Sequence, residues 1–211
     1  TANVSHELKT PLTSISGFAE LLKSGGTPDE TVQDFSNSIY EEAGRLISLV
    51  NDIIKISELD EDSGQFEEGV VDLYEISEDV KKRLKITADK KNITINLIGE
   101  SAKIVGVQQI LDEMVYNLCD NAIKFSDEGG KYIVGINENH GKIKVSVYNE
   151  GAGIALEDLP YVFDRFYKSD RSRGLDKTGV GLGLYISRTI IEAHNEKISV
   201  ESEHGKWCKF T

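Results

Sequence analysis

The chain has 211 residues, 39% of them apolar, with a formal net charge of −12. That length allows one or two domains with at least one sizeable core, and the apolar share excludes disorder while leaving extra surface exposed or covered by a partner. The acidic balance is steepest in the first 65 residues, where twelve Asp and Glu face four Lys and Arg, and it disfavours nucleic acid and anionic lipid as partners.

Val4, Leu8, Leu12, Ile15, Ala19 and Leu22 recur at spacings of three and four, which predicts one amphipathic helix over residues 1–23. His6 lies off that face, towards solvent, with Glu7 beside it and Thr10 on its own face one turn on. Pro11 has no N–H for the carbonyl of Glu7 and crowds it, so the helix is expected to loosen or bend one turn after the histidine. Ser24–Pro28 breaks the pattern, and Asp29 with Glu30 opens a second helix. There Val32, Phe35, Ile39, Ala43, Leu46, Leu49 or Val50, Ile53 and Ile56 continue an apolar stripe to about Leu59. The pair reads as an antiparallel hairpin. Its stripe is wide and buries too little surface alone, so two copies are expected to pair into a four-helix bundle.

Asp60-Glu-Asp-Ser-Gly64 is the expected domain boundary, giving domains 1–62 and 63–211. Beyond it the periodicity predicts a strand over Phe66–Leu73, a helix over Tyr74–Lys91, a strand on Ile93, Ile95 and Leu97, and a helix over Val107–Phe125. Tyr132, Val134 and Ile136, then Ile143, Val145 and Val147, alternate on either side of Asn139-His-Gly-Lys142 and predict a hairpin. A helix over Gly183–Ala193 and a strand through Ile198 and Val200 follow. Strands and helices mix without a regular βαβ repeat, so this domain reads as one mixed sheet with helices on one face.

Cys119 and Cys208 form no C-x-x-C and no even framework, which suits a reducing, cytoplasmic setting. No apolar run approaches the ~20 residues of a membrane span, and no signal peptide is present. Residue 1 already lies in a helical pattern and residue 211 stops in a strand pattern, so a fragment of a longer protein, truncated at its C-terminal end, is expected.

Three polar clusters break core-and-surface patterning. Asn117 and Asn121 lie four apart on one face of a helix otherwise apolar, and their side-chain oxygens suit a hard cation such as Mg²⁺ as well as plain helix-surface hydrogen bonding. Asn149-Glu-Gly-Ala-Gly-Ile154 follows a strand directly, as a turn or as backbone passing close to a flat ligand. Thr178-Gly-Val-Gly-Leu-Gly-Leu184 opens a helix, where free N–H groups and the helix dipole favour an anion. Before it, Asp164–Arg173 is charged and long for a loop, which points to a mobile lid. The patterns of a P-loop and of a Rossmann site are both absent.

Taken in order, these clusters and the hairpin resemble the catalytic core of a sensor histidine kinase over essentially the whole chain. Ser5–Leu12 resembles the H box, Glu113–Phe125 the N box, Asn149–Ile154 the first glycine box, Phe163–Tyr167 the F box and Gly179–Leu184 the second glycine box. The resemblance implies a dimerising helical hairpin followed by the ATP-binding α/β sandwich shared with gyrase, Hsp90 and MutL. It implies that His6 takes the γ-phosphoryl group of ATP on Nε2, that Glu7 accepts the Nδ1 proton, and that Thr10 orients water when phosphate is removed from the partner regulator. It implies that Asn121 binds Mg²⁺, that Asn117 and Lys124 line the phosphates, and that Tyr167 and Lys168 are lid residues near the nucleotide. Asn149, Gly151, Gly153 and Ile154, with Gly179, Gly181, Leu182, Gly183 and Leu184, complete the implied nucleotide site.

Phosphate would then pass from His6 to an aspartate on a response regulator receiver domain, in a homodimer whose parent protein is anchored in the cell membrane by segments absent from this chain. An ATP hydrolase or conformational clamp of the gyrase and Hsp90 kind, and a non-catalytic dimeric scaffold, are the competing readings. Three positions depart from the family pattern: Asn149 stands where Asp is usual, Lys168 where Arg is common, and Trp207 replaces a usual glycine.

Overall fold

The computed structural model describes residues 2–25, 28–60, 67–169, 172, 174 and 179–211. Two compact units emerge: residues 1–61, with which 178–180 are grouped, and the remainder. The expected boundary at 61–64, the strand start at Phe66, and the lid residues 170, 171, 173 and 175–177 lie outside the described residues, as do Gly26, Thr27 and Thr178.

The first unit is the expected hairpin of α1 (Ala2–Lys23) and α2 (Asp29–Asp60). The helix α1 continues through Pro11 without interruption. The hydroxyls of Thr10 and Thr13 donate to the carbonyls of His6 and Lys9, at 3.2 and 2.8 Å, around the proline. The α1 side of the seam differs from the predicted stripe at two positions, and in α2 Val32 falls off it. Pro11 is buried and Phe18 half-buried, whereas Leu12 is 52% exposed and Ala19 faces out. Val4, Leu8, Pro11, Ile15, Phe18 and Leu22 alternate steps of four and three, the spacing that keeps a seam on one line against a partner helix. Phe18 meets the Phe35 ring of α2 with centroids 5.3 Å apart. Leu12, Leu21, Val32, Ile47, Val50 and Ile54 stay exposed on the single hairpin.

The second unit holds a five-stranded sheet in the order β2-β4-β5-β7-β6 and a separate two-stranded sheet of β1 and β3. The strands are β1 (Gly69–Asp72), β2 (Ile95–Ile98), β3 (Lys103–Gly106), β4 (Tyr132–Asn139), β5 (Lys142–Glu150), β6 (Val200–Glu203) and β7 (Trp207–Phe210). Helices α3 (Leu73–Asp89), α4 (Gln108–Phe125) and α5 (Gly183–Ala193) pack in sequence, α3 on α4 and α4 on α5. Among the described residues β2 and β4 run parallel and the other pairings are antiparallel. The sheet is mixed, as expected. The β4–β5 turn is made by His140 and Gly141, both with positive φ, the geometry of a two-residue hairpin loop.

The helix expected to reach Lys91 ends at Asp89, and the strand expected through Ile198 starts at Val200. Two other boundaries move for local reasons, and one further strand is made by its partner. Leu73 opens α3 instead of closing the first strand, because Asp72 caps the helix: its carboxylate accepts from the backbone N–H of Tyr74 at 2.9 Å and of Ala102 at 3.1 Å, and from the Ser101 hydroxyl. Ile93 is buried but precedes β2, since Asn92 turns the chain with positive φ. The strand β3 has no alternating signature of its own and exists by pairing with β1. Cys119 and Cys208 are unbonded and buried, and burial pushes both thiols up to about 12, so neither is a reactive thiolate.

The hydrogen bond from Ser101, reinforced by backbone N–H groups, holds the Asp72 carboxyl below its ordinary range. A depressed folded pKa contributes stability above the unfolded value and loses it as pH falls through the folded one. Asp72→Ala is expected to cost about 1 kcal/mol in urea unfolding of this unit at neutral pH. The difference from wild type should shrink once the solution is acidified below the usual carboxylate range.

Candidate functional site

The helix α4 has two faces. Leu111, Met114, Val115, Leu118, Cys119, Ala122 and Ile123 are buried, while Glu113, Asn117, Asn121 and Lys124 are half-buried on the polar side. The apolar face anchors the helix to the sheet and so presents the polar row along a fixed line. Asn117 lies against the start of α5: a Cβ placed on Gly183 would sit 3.7 Å from its Cγ. Its Nδ2 is buried without a hydrogen-bond partner. The N-terminus of α5 carries no side-chain cap, so its first N–H groups are available to a ligand. Lys124 pairs with Asp120 at 2.8 Å, one turn back along α4.

Gly151 and Ala152 are tied to the end of α4: Ala152 N–H donates to the Phe125 carbonyl at 3.1 Å, and Gly151 bridges Ser126. The β6–β7 turn holds the same loop from the other side. Gly151 N–H donates to the Lys206 carbonyl at 3.0 Å and Gly205 N–H to the Ala152 carbonyl at 2.8 Å. Gly153 has a φ of 56°, and a Cβ there would lie 2.3 Å from the Glu203 carbonyl oxygen, so only glycine fits. The Ser202 hydroxyl accepts from Ile154 N–H at 2.8 Å and donates to the Trp207 carbonyl at 2.6 Å. Asn149 ends β5 buried at 1% exposure, with its Nδ2 also unpartnered.

The F-box segment is seated on the second glycine stretch. Phe166 N–H donates to the Gly181 carbonyl at 3.0 Å, and Phe166 itself has a φ of 66°. Gly181, at φ 78°, passes so close that a Cβ would meet the Tyr167 carbonyl oxygen at 2.6 Å. The Tyr167 hydroxyl donates to Asp158 at 2.5 Å, and its ring lies 5.7 Å from that of Tyr161. Arg165 stacks over Tyr185 of α5 at 4.7 Å. Phe163 packs edge-on against Phe210 of β7, 6.0 Å between centroids. Lys168, Gly179 and Leu184 are half-buried, and Leu182 is buried. Trp207 stacks on Tyr148 at 5.9 Å, so this departure from glycine is accommodated by an aromatic neighbour.

In the hairpin unit, His6 is 80% exposed at its side chain and its Nδ1 lies 3.8 Å from Glu7 Oε1. A nucleophile needs that access, and the carboxylate lies on the Nδ1 side of the ring, leaving Nε2 open. Thr10 occupies the same face one turn on, bonded back to the His6 carbonyl.

Several supporting residues gave no signal in the sequence. Lys91 donates through Nζ to the carbonyls of Ile123, Lys124 and Ser126 at 3.0, 2.6 and 3.3 Å, capping α4 from more than thirty residues away. Ser202 likewise acts on Ile154, 48 residues away, and Asp158 on Tyr167 across the F-box loop. None belongs to a motif, so only the fold could find them. No group of three or more His, Cys, Asp or Glu capable of holding a metal exists among the described residues.

Comparison with known proteins adds to this geometry. Residues 106–211 match the family model described as histidine kinase-, DNA gyrase B-, and HSP90-like ATPase, and residues 1–62 match the His Kinase A (phospho-acceptor) domain. Sensor protein SrrB of Staphylococcus aureus strain MRSA252 is 33% identical over 99% of this chain, which spans 36% of that protein. The solved complex of histidine kinase ThkA with response regulator protein TrrA is similar at 28% identity and a TM-score of 0.77, covering 100% of this chain and 59% of that one. Full-length ShkA in complex with AMPPNP is similar at 25% identity and a TM-score of 0.70, covering 99% and 44%.

Gly181 and Gly183 make opposite demands, although the motif writes them alike. Gly181→Ala is expected to cost roughly 1–3 kcal/mol through strained backbone and the clash with Tyr167. Gly183→Ala meets only ordinary contact with Asn117 and should leave the urea midpoint of this unit within experimental error of wild type.

Proposed function

The chain belongs to the histidine kinases, and we propose that it transfers the γ-phosphoryl group of ATP to His6 and then to an aspartate of a response regulator receiver domain. The observation that carries this reading is the pairing of an 80%-exposed histidine beside a carboxylate with a second unit whose α4 polar face, glycine loops and uncapped α5 N-terminus suit a triphosphate.

His6 Nε2 supplies the lone pair that forms the N–P bond, while the bond from the γ-phosphorus to the ADP oxygen breaks. Glu7 draws on the Nδ1 proton and so keeps Nε2 nucleophilic. Asn121 would hold Mg²⁺, which when bound neutralises charge on the phosphate oxygens, and Asn117 on the same face lines the phosphates. Lys124 and Lys168 add positive charge, and the first N–H groups of α5 donate to the phosphate oxygens. Asn149, Gly151, Gly153 and Ile154 seat the base, while Gly179, Gly181, Leu182, Gly183 and Leu184, with Tyr167, shape the phosphate end.

The exposed apolar residues of the hairpin, Ile47 at 63% among them, support a homodimer in which two hairpins form a four-helix bundle. The first domain then covers residues 1–62 and the second residues 63–211. No helix among the described residues is long and apolar enough to cross a membrane. On this reading the chain works in the cytoplasm, where ATP is, within a longer protein that carries its sensor and membrane anchor elsewhere. Thr10, on the face of His6, would orient water for the separate task of removing phosphate from the regulator.

Incubation with ATP radiolabelled at the γ-phosphate should give acid-labile, base-stable label on the protein. His6→Gln should abolish the label yet retain binding of a non-hydrolysable ATP analogue, and Glu7→Gln should slow labelling about a hundredfold. Label that survives in His6→Gln, or steady phosphate release with no phosphoprotein, would replace this reading with that of a hydrolase. Ile47→Asp should shift the sedimenting species from dimer to monomer.

A further inference from the structure

We propose that Lys91 is a positioning residue for the nucleotide. Its ammonium holds the last turn of α4, and with it Asn121 and Lys124, against the first glycine loop. The inference rests on the nucleotide-binding reading of this unit. An α-helix ends on carbonyls that its own amides cannot reach. In α4 these belong to Ala122, Ile123, Lys124 and Phe125, and each has a donor from beyond the helix. The Ser126 hydroxyl donates to the Ala122 carbonyl at 2.7 Å, and the Ser126 N–H to that of Ile123 at 3.3 Å. Lys91 Nζ donates to the carbonyls of Ile123 at 3.0 Å, Lys124 at 2.6 Å and Ser126 at 3.3 Å. The Phe125 carbonyl accepts from Ala152 N–H of the first glycine loop at 3.1 Å. Lys91 and the glycine loop therefore share one helix end.

The backbone of Lys91 is bound to the same junction. Its N–H donates to the Ala88 carbonyl at 3.0 Å, and its carbonyl accepts from Gly129 N–H at 2.9 Å, in the loop between α4 and β4. That loop is joined to the end of β5: Asp127 N–H donates to the Glu150 carbonyl at 3.1 Å and Glu150 N–H to the Lys131 carbonyl at 2.8 Å. Glu150 directly precedes Gly151. A cation at this place also meets the negative end of the α4 dipole. Without the ammonium, the carbonyls of the last turn lose their charged donor and the turn loosens. Lys124 belongs to that turn, and Asn121 lies one turn before Phe125. Their side chains then leave the fixed line on which a phosphate chain is held, and binding has to reorder them, which lowers affinity. Once the site is filled they stand as in the wild type, so transfer to His6 keeps its rate.

The test compares autophosphorylation by the wild type and by Lys91→Met, whose side chain keeps its length without the donor. Lys91→Met should raise both KM for ATP and Kd for a non-hydrolysable ATP analogue about tenfold, with kcat within about threefold of wild type. A lysine that only stabilises the fold would lower kcat through loss of folded protein and leave KM unchanged, and that result overturns the proposal. Asn92→Gly is the control. It suits the positive φ at that position and removes the 2.7 Å bond from Asn92 to Glu128 of the same loop, without touching the α4 carbonyls. Its KM should match wild type, and a rise equal to that of Lys91→Met overturns the proposal as general loosening. A second measurement uses the wild type and decides if Lys91→Met does not fold. Coupling between two equilibria is reciprocal, so nucleotide should hold Lys91 on its carbonyls by about the factor by which Lys91 improves nucleotide binding. Acetylation of Lys91 by acetic anhydride, read by mass spectrometry, should slow about tenfold with saturating analogue, while the exposed Lys90 beside it reacts as before. Equal rates at Lys91 with and without the analogue overturn the proposal. Analogue bound equally by wild type and Lys91→Met overturns this proposal alone; failure of the wild type to bind it removes the nucleotide-binding reading and this inference together.

Discussion

The C-terminal end of α4 is the knot on which the second unit depends. Lys91 brings its ammonium to three carbonyls there, and its own backbone carbonyl accepts from Gly129 N–H at 2.9 Å. Burial lowers the Lys91 pKa, while Asp127 opposes that shift. The charge is retained because it satisfies carbonyls that a helix end leaves open. One residue further on, Ala152 and Gly151 are bonded to Phe125 and Ser126. The polar row of α4 and the first glycine loop are therefore set against each other by the same few backbone groups. A displacement at either would be felt at both.

Electrostatics explains the composition of the site. A chain of net charge −12 repels a triphosphate at long range. On the proposed reading attraction has to be local, supplied by Lys124, Lys168, the amides at the start of α5 and the divalent cation that Asn121 would hold. Lys124 is held by Asp120 at 2.8 Å, which fixes its direction and tempers its charge. Neutral amides fill the remaining positions. Asn117 and Asn149 both keep buried Nδ2 groups without partners, an arrangement stable only where surrounding packing is strong and useful where a ligand arrives.

Glycines in the two loops serve backbone crowding more than backbone freedom. At Gly153 and Gly181 the obstacle to any side chain is another stretch of main chain, the Glu203 and Tyr167 carbonyls. These contacts weld the first glycine loop to the β6–β7 turn and the second to the F-box segment. The F-box aromatics are correspondingly structural at their base, with Phe163 against Phe210 and Tyr167 bonded to Asp158.

Periodicity alone located most elements, because each carries its own signal. The α5 limits, the β4–β5 hairpin about His140 and Gly141, and all but the capping residue of α4 were legible, as were the exposed His6 with Glu7 and the polar face of α4. Ordered motifs then pointed to the family, through residues whose spacing is local. What needed the fold is what arises between distant segments. The seam of the hairpin takes Pro11 and Phe18 in place of Leu12 and Ala19, since the partner helix chooses the line and the apolar residues outnumber the places on it. The strand β3 is made by β1, the position of α4 by Lys91, and the setting of Ile154 by Ser202. The unpartnered amide of Asn149 belongs with these: its identity is written in the chain, but its burial comes from Tyr132, Cys208 and the helix above them, which no local pattern can anticipate.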